Sequence, residues 1–185
     1  MRGKSHIHLG KYIIDHYMEN TGLLHRKLFL FGCIQPDRNP FTYLKGSLRH
    51  RLLQGHDYHN AMRFMQRISG RLEKRRPLNP LDCYTFGKLI HYIADAFTYV
   101  HNDAFSGSLS CHRNYERKLQ NFFLTYLNQT PKPDISSSLS IMETIEQYHR
   151  DYCTRSQSIL TDSVFALETS CCVAALLYSP TKIRE

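Results

Sequence analysis

The sequence predicts a single all-α domain over 1–185, a multi-helix bundle with a polar, metal-binding interior. Three observations lead there. Apolar residues recur at helical spacing between turn signals at 36–40, 46, 55, 77–80, 107 and 131–133, and strand-like alternation is scarce. A chain of 185 residues, 42% of them apolar, is long enough to bury one hydrophobic core. Histidines and carboxylates also fall four apart, so that on a helix each pair shares a face and converges on one point.

The first helix is expected over 5–19. His6, Leu9, Ile13 and Tyr17 form one apolar stripe, whereas His8 lies on the polar side with Asp15 and Glu19, so His6 points inward. The second helix is expected over 22–33, with Pro36 ending it and Asp37 on the loop that leaves it, its carboxylate able to point into the bundle. The stretch 41–54 reads as a short helix. His50, His56 and His59 follow, and local pattern does not choose among them. In the helix expected over 57–75, Ala61, Met65, Ile68 and Leu72 face the core, and His59 sits opposite. The run Glu73–Arg76 suits a solvated helix end.

Asn79-Pro80 starts a helix over 81–101 with two useful faces. Phe86, Ile90, Ile93, Phe97 and Val100 make an apolar stripe, with His91 and Asp95 opposite. On a central helix that second face would line a polar interior. In the helix over 111–128, His112 and Glu116 continue the row of Leu119, Phe123 and Tyr126, so they face inward. An ionised carboxylate in that row is costly unless paired or bound to metal. The remaining segment, 138–178, reads as helical with a break near Thr154, and Ser136 to Ser138 are its N-cap candidates. The C-terminal helices within 134–185 complete the bundle.

The chemistry concentrates in HYIADAFTYVHNDAFSGSLSCHRNYE, residues 91–116, which holds His91-x3-Asp95, His101 and His112-x3-Glu116. Imidazole nitrogens and carboxylate oxygens are ligands that zinc takes, and a catalytic zinc needs about three of them plus an open position. The formal charge of +8, from 24 Lys and Arg against 16 Asp and Glu, favours an anionic partner such as a phosphate ester, a nucleic acid or an acidic lipid surface. The N-terminal stretch has no apolar run of signal-peptide length, and no C-x-x-C pair occurs among the six cysteines, so a cytoplasmic location is expected. The most apolar segment, Ser158–Ser179, is interrupted by Asp162 and Glu168 and reads as a buried helix, not a transmembrane one.

Ser5-His6, Gly32-x3-Pro36-Asp37, His91-Tyr92-x2-Asp95-x5-His101 and His112-x3-Glu116 together resemble the bacterial zinc-dependent phospholipase C family, which is related to zinc-dependent single-strand nucleases. These matches span residues 5–116 in family order. The resemblance implies an all-helical domain whose core holds up to three zinc ions. By position, one zinc would take Asp37, His91, Asp95 and His50, the last preferred to His56 because it follows Asp37 at about the family interval. A second would take His101, His112 and Glu116. His6, with Asp95 bridging, would belong to a third site. Family enzymes complete that third site with an N-terminal tryptophan, and this chain has no Trp, so two zinc ions are expected, with the third site left to water or nearby main chain. On the same resemblance, the lipid-binding C-terminal domain of toxin members is not expected here.

The implied function is metal-assisted hydrolysis of a phosphodiester, a phospholipid above all, with Asp37 as general base and peripheral contact with a membrane. Two alternatives stand beside it. One is an HD-type or nuclease-like phosphohydrolase using His56-Asp57 with His25 or with His91 and Asp95, which leaves His101, His112 and Glu116 without a role. The other is a non-catalytic helical domain that binds zinc or lipid.

Overall fold

The computed structural model describes residues 1–38, 58–102, 105–135 and 137–178. Among these, seven α-helices and one 3-10 turn occur and no strand: α1 (Gly3–Tyr17), α2 (Leu23–Arg38), α3 (Tyr58–Leu72), α4 (Pro80–Ala96), the 3-10 turn (Tyr99–His101), α5 (Leu109–Gln129), α6 (Ile141–Cys153) and α7 (Ile159–Tyr178). The stretch 41–54, with His50, and the His56-Asp57 dipeptide lie outside the described residues.

Helix α4 is the centre of the bundle, in contact with α1, α2, α3 and α7. Its start is fixed by a capping box: the Asn79 side chain accepts from the Asp82 N–H at 2.9 Å, the Asp82 carboxylate accepts from the Asn79 N–H, and Pro80 takes the first helical position. Both faces of α4 are buried. Phe86, Leu89, Ile90, Ile93, Phe97 and the whole of His91–Ala96 are hidden from solvent, so the polar face of His91 and Asp95 is interior. Around it, α1 contributes Leu9, Ile13 and Ile14, α3 contributes Ala61, Met65 and Leu72, α5 contributes Leu119 and Phe123, and α7 contributes Ala166, Leu167 and Val173.

Three expectations about helix ends are corrected. The helix expected over 81–101 stops at Ala96, and His101 sits in the 3-10 turn that follows. Pro36 does not end α2, which continues to Arg38, so Asp37 projects from the last helical turn and not from a loop. The close packing of α2 on α4 holds the backbone helical against the local preference of a proline and its predecessor. Ser140, not Ser136 to Ser138, caps α6, because Glu143 stands three residues on and completes a capping box with it. The break in the last segment falls where expected, with Thr154 closing α6 and α7 starting at Ile159. Helix α7 is long and apolar enough to cross a membrane, yet 56% of its apolar window is buried inside the bundle, as in a core helix.

The contact between α2 and α4 is a backbone contact. A methyl group on Gly32 would collide with the Tyr84 carbonyl oxygen and stand 3.0 Å from the Gly87 Cα, and one on Gly87 would collide with the Phe29 carbonyl and stand 2.9 Å from the Cys33 nitrogen. These obstacles are main chain and cannot swing aside. Gly32→Ala and Gly87→Ala are each expected to destabilise the fold by about 3 kcal/mol, through forced separation of the two helices. Gly70, in α3, has nothing within 4 Å of the position a Cβ would take. Gly70→Ala is therefore expected to stabilise by about 0.5–1 kcal/mol. Thermal denaturation of the three variants should give shifts of opposite sign; equal shifts would contradict the helix contact.

Candidate metal centre

Four side chains from three helices meet beneath the α2–α4 contact. His6 of α1, Asp37 of α2, and His91 and Asp95 of α4 each offer one ligand atom, and all four atoms lie within 4.8 Å of one another. His91 Nε2 is 3.2 Å from Asp95 Oδ2 and 3.6 Å from Asp37 Oδ1. The rings of His6 and His91 stack at 4.0 Å. A second trio, His101 of the 3-10 turn with His112 and Glu116 of α5, forms beside the first. Glu116 Oε1 is 3.3 Å from His101 Nε2 and 3.5 Å from His112 Nε2. Asp95 joins the two groups, since its Oδ1 is 3.3 Å from His6 Nε2 and 4.0 Å from His101 Nε2.

The Met1 α-amino group lies between the groups, 2.5 Å from Asp95 Oδ1, 2.9 Å from His101 Nε2 and 3.2 Å from Glu116 Oε1. It is a main-chain group that the side-chain pattern did not name. His50 lies outside the described residues. His25, a possible partner in the HD-type alternative, lines a separate cavity with Tyr17, Thr21 and Arg76.

Burial and charge set the protonation states. Burial pushes the Asp95 carboxyl up, but the Met1 ammonium, His101, His91 and His6 outweigh it and hold its pKa well below the ordinary range. Burial likewise opposes ionisation of Glu116, and hydrogen bonding with His101 and His112 overcomes it, so its pKa is also lowered. Burial lowers the pKa of His91, yet Asp95 and Asp37 raise it overall. Burial dominates at His6, with His91 beside it, and its pKa falls to about 3. His6 is thus a neutral imidazole near pH 7, 1% exposed, and neither ring nitrogen makes a hydrogen bond among the described residues.

This donor set fits zinc. Ionised carboxylates and a neutral imidazole are protonation states a metal requires, and Asp95, Glu116 and His6 are in them; a bound cation would displace the proton that the carboxylates favour on His91. His91 is oriented by the backbone: its Nδ1 lies 2.9 Å from the Cys33 carbonyl oxygen, which can only accept, so Nδ1 carries a proton. Nε2 is then the nitrogen turned toward the carboxylates.

Sequence pattern alone also missed the support beneath the second trio. Asp162 of α7 is fully buried and accepts three hydrogen bonds from three other elements: the Tyr99 N–H at 2.9 Å, the Tyr115 hydroxyl at 2.8 Å and the Tyr152 hydroxyl at 2.8 Å. Tyr99 opens the turn that carries His101, and Tyr115 precedes Glu116. Asp162 therefore ties both ligand-bearing segments to α7. The signal available in the sequence was a carboxylate inside the most apolar helix of the chain.

An all-helical fold enclosing linked His and carboxylate groups defines a helical protein with a candidate metal-binding centre. The sequence model of zinc dependent phospholipase C matches residues 5–160, most of the chain, and the chain belongs to that family. No curated protein and no solved structure matched it.

Burial raises the Asp162 pKa to about 6, against the lowering effects of the Tyr99 N–H and the Tyr152 and Tyr115 hydroxyls. Between its unfolded value and about 6 the folded chain binds the extra proton, so this group's contribution to stability falls as pH rises through that window. The stability of the wild type relative to Asp162→Asn should accordingly shrink by on the order of 2 kcal/mol from about pH 4 to about pH 7, measured by chemical denaturation. A difference that grows with pH would contradict the assignment.

Proposed function

We propose that this protein is a zinc-dependent phosphodiester hydrolase acting as a phospholipase C. The observation that carries the reading is the pair of ligand groups joined through Asp95, buried on one side and bordered by a cleft at Glu116 on the other. His6, Asp37, His91 and Asp95 would hold one part of the metal centre, and His101, His112 and Glu116 the other. His50 is retained as the proposed further ligand. Zinc, when bound, polarises a phosphoryl oxygen and brings the pKa of its water toward neutrality.

The chain's own residues supply orientation and proton handling. The Cys33 carbonyl keeps the His91 proton on Nδ1, and Asp95 spans both groups and fixes their separation. The Asp37 side chain, 28% exposed, is the group of the first cluster that reaches both the interior and solvent, which suits a general base for the attacking water. Water oxygen bonds to phosphorus, the bond from phosphorus to the alcohol oxygen breaks, and the water proton passes through Asp37 to the departing alkoxide. The products are a phosphomonoester and an alcohol, which is diacylglycerol when a phospholipid is cut. The net charge of +8 suits an anionic lipid surface reached from solution.

Purified protein should contain zinc by elemental analysis and hydrolyse bis(p-nitrophenyl) phosphate, with activity lost to a chelator and regained on adding zinc. Asp37→Asn should lower kcat by about 10²-fold or more without loss of fold. Zinc uptake with no turnover of any phosphodiester would replace this reading with that of a non-catalytic zinc protein.

A further inference from the structure

We propose that the substrate carries a second anionic group, a phosphomonoester beyond the phosphodiester to be cut, and that Arg2, Arg113 and Arg117 bind it. The proposal rests on the phosphodiesterase reading and narrows its substrate class. A cleft of about 670 Å³ borders the second ligand trio, lined by these three arginines, Ser110, Asn114 and Glu116. That volume falls in the range of about 300–1,000 Å³ usual for small-molecule sites. Glu116 belongs to both the cleft and the ligand trio, so a molecule seated in the cleft touches the metal centre.

Among the described residues the cleft is one-sided in charge. Its single carboxylate, Glu116, is engaged by His101, His112 and the Met1 amino group. None of the three arginines forms an ion pair among the described residues; Arg117 donates only to the Asn114 side-chain oxygen, at 2.8 Å. Planar guanidinium groups bind phosphate through paired hydrogen bonds, and these three are exposed at the cleft with no carboxylate partner among the described residues.

The register of α5 sets where the anion would lie. His112 and Glu116 occupy one face, and Arg113 and Arg117, each one residue later, occupy the adjacent face about 100° around the helix. Arg2 is the N-cap residue of α1, its carbonyl accepting the Ser5 N–H at 2.8 Å. The arginines are therefore carried by the same two helices that present His6, His112 and Glu116, and the spacing between the second anion and the phosphorus to be attacked is fixed by the fold. A zwitterionic choline headgroup would place a cation against them. A phosphorylated headgroup or a nucleotide with a terminal phosphate would not.

The test uses the full zinc-loaded chain and two substrate pairs. One is phosphatidylinositol against the same lipid with an added ring phosphate, in mixed micelles; the other is dithymidine monophosphate without and with a 5′-phosphate. The added phosphate should raise kcat/KM by about tenfold or more in one pair, and that pair identifies a lipid or a nucleotide source. In Arg113→Gln/Arg117→Gln, with melting temperature and zinc content as in the wild type, the ratio within the pair should collapse toward about one. No preference in either pair, or a preference that survives the double substitution, overturns the proposal. If the wild type cuts no phosphodiester, the functional reading has failed, and the cleft is read by calorimetric titration of inositol phosphates and of both dithymidine compounds. Binding about tenfold tighter for the doubly anionic partner, lost in the double variant, supports the arginine site, and equal affinities overturn it.

Discussion

The polar interior depends on two glycines. Gly32 and Gly87 let the backbones of α2 and α4 touch, and side chains at either position would meet main chain that cannot yield. Because the helices are this close, the Cys33 carbonyl reaches the His91 ring and Asp37 comes within 3.6 Å of the same histidine. The contact thus decides which nitrogen of His91 faces the carboxylates, and it brings Asp37 of α2 into the candidate cluster. A slightly wider crossing would keep every residue of the motif and lose the geometry.

Electrostatics then explains why these residues remain together in a buried place. Asp95 and Glu116 stay ionised against the pull of burial because positive charge surrounds them, from the Met1 ammonium and from histidine. Buried charges persist only when matched, and a centre with two linked carboxylates and several imidazoles is one that a divalent cation matches well. His6 marks the contrast: it is buried deeply enough to stay neutral, stacked on His91, with no hydrogen bond to either ring nitrogen among the described residues. One histidine in this cluster takes a proton readily, and its neighbour 4.0 Å away resists one.

Much of this was legible because ligands on helices obey spacing. The inward direction of His6 followed from its place on a stripe with Leu9 and Ile13, whereas Glu116, expected to face inward with Leu119 and Phe123, is half-buried at the edge of a cleft. What spacing cannot reach is backbone chemistry and tertiary override. No pattern of side chains reveals that the Cys33 carbonyl orients His91, or that a main-chain amino group stands between two ligand groups. Pro36 was misread for the same reason: a local rule predicted a helix end where packing against α4 keeps the helix going. Ser140 was open to a closer reading, since Glu143 completes a capping box that the earlier serines lack.

Asp162 separates what the chain does chemically from what keeps it ready to do so. The motif residues all fall before position 117, and the family match runs to residue 160, just short of this carboxylate. Yet it holds the turn of His101 and the helix of Glu116 through Tyr99 and Tyr115. The candidate ligands His101, His112 and Glu116 lie close together in sequence, whereas the carboxylate that ties their segments down comes from the last helix. A redesign that grafted the motif segment alone onto another bundle would carry over the recipe and leave behind the brace.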